Sequence, residues 1–318
     1  MDKEKILVCS KCKNIANIRI SPATALCKKH FEEHFEKKVS GTIREFSMLR
    51  KGEKVAVAIS GGKDSAVLLH MMCKMKKLMP IKVSALLVDE GIHGYREKTI
   101  MTAKKECKKL GVPLHIISFE KEFGIPLDKM LEMKRKFGAC AYCGVLRRAC
   151  INTGAKRIGA DKIAMGHNLD DAAQTVLLNI FRNEPKRLMR FGPAWLKYRG
   201  KNAEKFLPRI YPLIRCPEIE VAAYALMRGI KINFMQCPHA NEAMRQNVRK
   251  MLNGMEMKYP GTKARALEAF LQMQKNYFEG MENSENKKKF AECKMCGEPS
   301  SSELCTACRM ISEFEMKK

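Results

Sequence analysis

The sequence predicts an α/β fold: a parallel β-sheet flanked by helices, with a small cysteine-rich module at each end of the chain. Three observations lead there. Between residues 54 and 181, short β-branched and apolar runs alternate with amphipathic segments of helical length, the pattern of βαβ units. One of these runs ends in a glycine pair that opens straight into a helix, Ser60-Gly61-Gly62-Lys63. Two sets of paired ligand residues, Cys9/Cys12 with Cys27/His30 and Cys293/Cys296 with Cys305/Cys308, lie near the two ends.

In chain order, residues 1–40 form the first module, and a helix over Phe31–Arg50 links it onward. Strands are expected at Lys54–Ile59, Lys82–Val88, Pro113–Phe119 and Lys162–Met165. Helices are expected at Asp64–Lys77, Glu97–Leu110 and from about Leu169. The stretch Asn183–Lys205 departs from this pattern. It mixes Lys186, Arg187, Arg190, Lys197, Arg199 and Lys201 with Phe191, Trp195 and Tyr198. Such a mixture suits single-stranded RNA, and it suits a surface insertion equally. Residues 259–285 read as helical, and a lysine run at 287–289 leads into the last module. The divisions are thus 1–40, a central domain over 41–258, and a helical segment plus the second module over 259–318.

The chain has 318 residues, 46% of them hydrophobic, enough for a large core. No stretch approaches the roughly 20 apolar residues of a membrane-spanning helix, and the N-terminus leads into a cysteine pair rather than a secretory segment. A soluble, cytoplasmic protein is expected, with no membrane partner. Sixty Lys and Arg against 34 Asp and Glu give a formal charge of +26, which favours a polyphosphate partner, nucleic acid above all. Fourteen cysteines without a secretion signal point to metal rather than to disulfides.

Four ligands in two tight pairs close a tetrahedral site, so each terminal module is read as a structural zinc site: Cys9, Cys12, Cys27 and His30 in one, Cys293, Cys296, Cys305 and Cys308 in the other. Neither module has the apolar residues to fold unaided, so the metal contributes stability.

Val55–Ile59 followed by Ser60-Gly61-Gly62-Lys63-Asp64-Ser65 is the most informative segment. Paired glycines let backbone N–H groups converge on an anion, and the helix N-terminus adds partial positive charge. Lys63 can reach phosphates, and Asp64 can help hold Mg²⁺. The segment fits neither the Walker loop nor the dinucleotide fingerprint. Cys140-Ala-Tyr-Cys143 and the later Cys237-Pro238 are three further thiols. Their spacing leaves an iron–sulfur cluster and a redox-active thiol pair or persulfide equally open. Cys73, Cys107, Cys150 and Cys216 read as small buried hydrophobes, with Cys150 in helical phase with Cys143.

Ser60–Ser65, together with Leu87-Val-Asp-Glu-Gly-Ile92 and Gly166-His-Asn-Leu-Asp-Asp171, resembles the motif set of Rossmann-like pyrophosphate-loop enzymes that adenylate a substrate with ATP. Specifically it resembles the tRNA-thiolating branch, the TtuA and archaeal–eukaryotic wobble-uridine thiolase family, over nearly the whole chain. The resemblance implies ATP on Ala58, Ser60, Gly61, Gly62, Lys63, Asp64, Ser65, Leu87 and Gly166, and a [4Fe–4S] cluster on Cys140, Cys143 and Cys237. It implies catalytic roles for Lys63, Asp171, Asp170 and Arg147. Asp170 and Asp171 also fit ordinary helix capping, and His167 reads as a hydrogen-bonded packing group. Arg147-Arg148 resembles the wobble group, whereas TtuA-type enzymes carry a lysine at the first position. A guanidinium does not give up its proton, so Arg147 suits charge stabilisation. The implied reaction is 2-thiolation of a tRNA uridine, at the wobble position, with sulfur from a ubiquitin-like carrier or free sulfide, in a protein that could be a homodimer. The alternatives are thiolation of the T-loop uridine, a ligase of lysidine-synthetase type, and a non-enzymatic zinc-finger RNA-binding scaffold.

Overall fold

The computed structural model describes residues 7–193, 207–233, 235, 237–239, 244–282 and 291–315. Their elements are β1 (Ile18–Ser21), β2 (Thr24–Leu26), α1 (Lys28–Glu45), β3 (Lys54–Ile59), α2 (Lys63–Leu78), β4 (Lys82–Asp89), α3 (Arg96–Leu110), β5 (Leu114–Ser118), α4 (Phe119–Phe123), α5 (Leu127–Glu132) and α6 (Ala139–Arg157). There follow β6 (Lys162–Ala164), α7 (Leu169–Phe181), α8 (Pro185–Met189), β7 (Arg209–Ile210), α9 (Glu218–Met227), α10 (Arg245–Lys258), α11 (Thr262–Glu282), β8 (Ala291–Glu292), β9 (Pro299–Ser300) and α12 (Thr306–Glu315).

The central sheet has five parallel strands in the order β5-β4-β3-β6-β7. Its strands are buried on both faces, and residue parity sorts them. Val55, Val57 and Ile59 of β3, with Val83, Ala85 and Leu87 of β4, face α2, α1 and α9 in one apolar cluster. Ala56 of β3, with Leu86 and Val88 of β4, faces α6 in the other. Both sides are helix-covered, as a parallel sheet requires. From β3 the chain first moves outward to β4 and β5, then returns to β6 on β3's other side. That reversal is a topological switch point, where α/β sheets open a crevice at the strands' C-terminal ends.

The expected elements differ from the observed ones mainly at their ends. The helix expected over 31–50 is α1, three residues earlier at its start, and it stops at Phe46, where Ser47 takes φ +48°. The strand expected to reach Phe119 ends at Ser118, whose side chain accepts from Lys121 N–H and caps α4. The expected division at 40/41 falls inside α1, and Phe31, Phe35, Val39 and Ile43 of that helix share the apolar cluster of β3 and α2.

The second cysteine module docks on α6. Tyr142 donates from its hydroxyl to Glu313 of α12 at 2.8 Å, and Asn152 donates to Glu298 at 2.7 Å. Of the basic–aromatic stretch, α8 and its flanks are seen, while Trp195, Lys197, Tyr198, Arg199 and Lys201 lie outside the described residues. So does the lysine run at 287–289. No helix among the described residues is long and apolar enough to cross a membrane.

Candidate functional site

Just past the C-terminal end of β3 the chain must turn sharply into α2. Gly61 makes the turn at φ +84°, and a Cβ there would lie 2.6 Å from the Thr99 carbonyl oxygen, so only glycine fits. Gly62 is different: it is the N-cap of α2 at φ −88°, with no side chain bonded to the cap. The first-turn N–H groups of α2 are therefore not claimed by a cap and can face an anion. The serines shape the loop from within. Ser60 N–H donates to Ser65 Oγ at 3.1 Å, Gly62 N–H to Ser60 Oγ at 3.3 Å, and Ser65 Oγ–H to the Gly62 carbonyl at 2.9 Å.

Lys63 Nζ sits 2.7 Å from Glu218 and 3.0 Å from Asp64. Burial alone would depress this ammonium, but the two carboxylates outweigh it and its pKa is raised. Asp64 is raised by burial, against the pull of Lys63 and of Asn168. Asn168 donates to Asp64 at 3.0 Å while capping α7, in a capping box with Asp171. Gly166 lets these segments meet, since a Cβ on it would stand 3.2 Å from Ser65 N.

A cavity of about 380 Å³ lies between these parts, at the switch point. It is bounded by Ala58, Ser60, Asp64 and Ser65 on the loop side, and by Leu86, Val88, Arg147, His167, Asp171 and Arg245 around it. Of the residues expected to bind ATP or to act in catalysis, Gly61, Gly62, Lys63, Leu87 and Asp170 are not among those bounding it. Leu87 does not line this cavity: it is 0% exposed in the cluster on the sheet's other face, and its neighbours Leu86 and Val88 occupy the cavity wall. A strand turns successive side chains to opposite faces, so one residue decides the matter. Asp170 does not line it either. It is 6% exposed, accepts the Glu218 N–H at 2.7 Å and contacts Lys263, so it ties α7 to α9 and α11. Asp171 does face the cavity, where Arg245 approaches its carboxylate at 3.4 Å. His167 lines it as well, and its Nδ1 is buried without a hydrogen-bond partner among the described residues. That departs from the hydrogen-bonded packing role expected for it. Burial lowers its pKa although Asp171 opposes the shift, so the ring is neutral at pH 7.

The segment holding Cys237 packs against the part of α6 that holds Cys140 and Cys143, beside this cavity. Cys140 and Cys143 lie in the first two turns of α6. Cys140 Sγ–H donates to the carbonyl of His239 at 3.4 Å, two residues beyond Cys237. Cys143 is 8% exposed and accepts from Arg147 Nη2 at 2.9 Å. Burial raises its thiol pKa, Arg147 opposes, and the nearby Cys237 raises it further. Among the described residues only the two terminal groups bring three or more donors within 4.8 Å of one another. Cys140, Cys143 and Cys237 do not form such a group.

At the termini the distances fit single ions. Cys12 and Cys27 Sγ are 3.8 Å apart, and Cys296 and Cys305 Sγ 3.7 Å. Metal–sulfur bonds of about 2.3 Å at tetrahedral angles put two sulfurs about 3.8 Å apart, whereas a disulfide needs about 2.0 Å. His30 Nδ1 completes the first set at 3.4 Å from both Cys9 and Cys27 Sγ. No two of the fourteen cysteines are joined. Cys107 and Cys150 have thiols that burial pushes up to about 11 and about 12, and Cys216 is fully buried. These are core residues, Cys150 included.

Several site residues carried no signal in the sequence. Glu218, Lys263 and Arg245 reach the motifs from far along the chain, and Asn253 accepts from Lys263. Arg148 forms a basic cluster with Arg187 and Arg209, and its pKa falls to about 10 through burial and these like charges.

The sequence matches the PP-loop domain family over residues 31–255. It is 38% identical over 302 residues to the tRNA-5-methyluridine(54) 2-sulfurtransferase of Pyrococcus horikoshii, covering 95% of this chain and 92% of that one. It is 33% identical to the tRNA 2-thiolation protein NcsA of Haloferax volcanii, covering 96% and 99%. The fold superposes on the U34-tRNA thiolase NcsA of Methanococcus maripaludis, solved with its [4Fe–4S] cluster, at a TM-score of 0.80 and 30% identity, over 98% of this chain and 97% of that one. With loop, cavity and thiols arranged as described, and with relatives matching from end to end, the chain belongs to the PP-loop domain family, in the branch that contains these tRNA 2-thiolation proteins.

Proposed function

We propose that this protein is an ATP-dependent tRNA uridine 2-thiolase acting on the wobble uridine. One observation carries the reading: a single cavity is bounded both by the phosphate loop and by Arg147, whose other end holds Cys143. Groups suited to activating an oxygen and groups suited to handling sulfur thereby face one reacting base.

ATP lies with its phosphates on the N–H groups of Ser60–Ser65 and its adenine along Ala58 and Leu86. A uridine flipped from its stack enters the same cavity, and its C2 oxygen attacks the α-phosphorus, releasing pyrophosphate. Asp64 and Asp171 would hold Mg²⁺, which would offset phosphate charge, and Lys63 and Arg147 stabilise the charge that develops on the phosphates. Adenylation turns a poor leaving group into AMP. A hydrosulfide then attacks C2, the C2–O bond breaks and AMP departs. Bound to Cys140, Cys143 and Cys237, a [4Fe–4S] cluster would supply an iron open to that sulfur donor. The sulfur itself derives from free sulfide or a ubiquitin-like carrier's thiocarboxylate. Structural zinc occupies the two terminal sites, Arg148, Arg187 and Arg209 contact tRNA phosphates, and the protein works in the reducing cytoplasm, where fourteen thiols persist.

A second reading has a specific observation behind it: the relative from Pyrococcus horikoshii is named for position 54. Arg147-Arg148 and the whole-chain likeness to a U34 thiolase favour the wobble base.

Three outcomes test this. In a reconstituted reaction with ATP, sulfide and unmodified tRNA, Lys63→Ala and Asp64→Ala should each lower 2-thiouridine formation at least about a hundredfold. Their tRNA affinity should stay within about twofold, because it rests on dispersed phosphate contacts; full turnover in either variant refutes ATP activation at this loop. Anaerobically purified protein should contain iron that Cys140→Ala, Cys143→Ala or Cys237→Ala removes, with zinc retained. Active, iron-free protein would instead favour a persulfide mechanism. Finally, nucleoside mapping of tRNAs for Lys, Glu and Gln from a deletion strain should show sulfur lost from the anticodon fragment. Loss confined to the T-loop fragment establishes the second reading.

A further inference from the structure

Glu90 directly follows β4 and is 0% exposed. Its carboxylate lies between two guanidinium groups, with one oxygen against Arg96 Nε and the other 2.5 Å from Arg147 Nε. Neither contact is a well-directed hydrogen bond, so charge attraction rather than bond geometry holds the trio. Arg96 is 4% exposed and donates to the Ser60 carbonyl at 2.9 Å, to Thr99 Oγ1 at 3.1 Å and to the Val88 carbonyl at 2.5 Å. In a trans peptide the N–H points opposite to the carbonyl. The grip on the Ser60 carbonyl therefore fixes the direction of the Gly61 N–H in the phosphate loop. Arg147 is held by Glu90 at one edge and presents Nη2 to Cys143 at 2.9 Å from another. A planar guanidinium transmits that orientation rigidly.

We infer that Glu90 is a positioning residue that locks the phosphate loop and the Cys143 thiol into one fixed relation, through Arg96 on one side and Arg147 on the other. Without its charge, Arg96 remains pinned by three oxygen acceptors, while Arg147 loses its anchor and Cys143 its oriented donor. The nucleotide and sulfur ends of the cavity then no longer move as one unit. Coupling between the two ends, more than occupancy of either, depends on Glu90. Because neutralising Glu90 adds one net positive charge near a bound polyphosphate, ATP affinity should not weaken.

The inference rests on the functional reading above, and the test separates the two. Holoprotein carrying Glu90→Gln is compared with wild type for thermal midpoint, iron content, ATP affinity, kcat and KM for ATP, and the change that ATP produces in the reduced cluster's EPR spectrum. The expected variant keeps iron and binds ATP within about threefold of wild type. Its kcat falls about tenfold or more with KM for ATP unchanged or lower, and the ATP-dependent EPR change disappears. Arg147→Gln, which leaves the Glu90–Arg96 pair intact, should lose the same EPR response and carries the test if Glu90→Gln does not fold. Turnover within about twofold of wild type with the EPR response intact overturns the inference. So does a parallel loss of ATP affinity, iron and thermal midpoint, which marks Glu90 as a brace for the fold alone. Wild-type protein that binds neither iron nor ATP overturns the functional reading itself, and this inference with it.

Discussion

The strands on either side of β3 leave it in opposite chain directions, and a parallel sheet built that way cannot cover its own switch point with a helix. β3 contributes Ala58 and Ile59 to the resulting crevice and its following turn Ser60, β4 contributes Leu86 and Val88, and the segment after β6 contributes Met165, Gly166 and His167. The other parts of the site are anchored to those strand ends. The loop serines bond one another in the turn after β3, Asn168 reaches Asp64 from the turn after β6, and Arg96 spans from the start of α3 back to Ser60 and Val88. At Gly61 the backbone of Thr99 approaches too closely for any side chain, and at Gly166 the backbone of Asp64 and Ser65 leaves only a tight fit for one.

Charge is the second constraint. Arg96, Arg147 and Arg245 line the cavity, Lys63 stands next to its Asp64, and each cation lies against a carboxylate: Glu90 for Arg96 and Arg147, Asp171 for Arg245, Asp64 and Glu218 for Lys63. Buried or half-buried cations without such partners would cost several kcal/mol each. With partners they stay protonated, as the raised pKa values of Lys63 and Arg147 reflect, each opposed by burial but outweighed by the adjacent carboxylates. The result is a polar cavity with Arg96, Arg147 and Arg245 on its wall, next to the turn that carries Ser60 and Ser65. Outside it, Arg148, Arg187 and Arg209 repel one another, a strain that polyanion binding would relieve.

What could be read from the sequence followed the range over which each feature is specified. The turn Ser60–Ser65, the strands β3 and β4, and the two paired-ligand modules depend on residues within a few positions of each other, and local spacing revealed them. Side-chain direction was legible only to within one residue. Leu87 was expected at the cavity and Leu86 and Val88 are there, because strand parity cannot be assigned without knowing which face the ligand takes. Asp170 and Asp171 are neighbours about 100° apart on α7, and only packing against α9 and α11 tells which one turns inward. Glu218, Arg245 and Lys263 belong to helices whose docking on α7 and α2 is a tertiary outcome. Glu90 lay inside a recognised motif, but its role emerges only when Arg96 and Arg147 are seen on its two oxygens.

The account's central claim is that ATP activates the very oxygen that sulfur replaces. Unmodified tRNA carrying ¹⁸O at the C2 oxygen of the target uridine, treated with this protein, ATP and sulfide, tests it directly. If the α-phosphorus is attacked by that oxygen and the C2–O bond then breaks, mass spectrometry will find one ¹⁸O in the AMP released for each 2-thiouridine formed. Unlabelled AMP alongside full thiolation, with the ¹⁸O recovered in water, would contradict it.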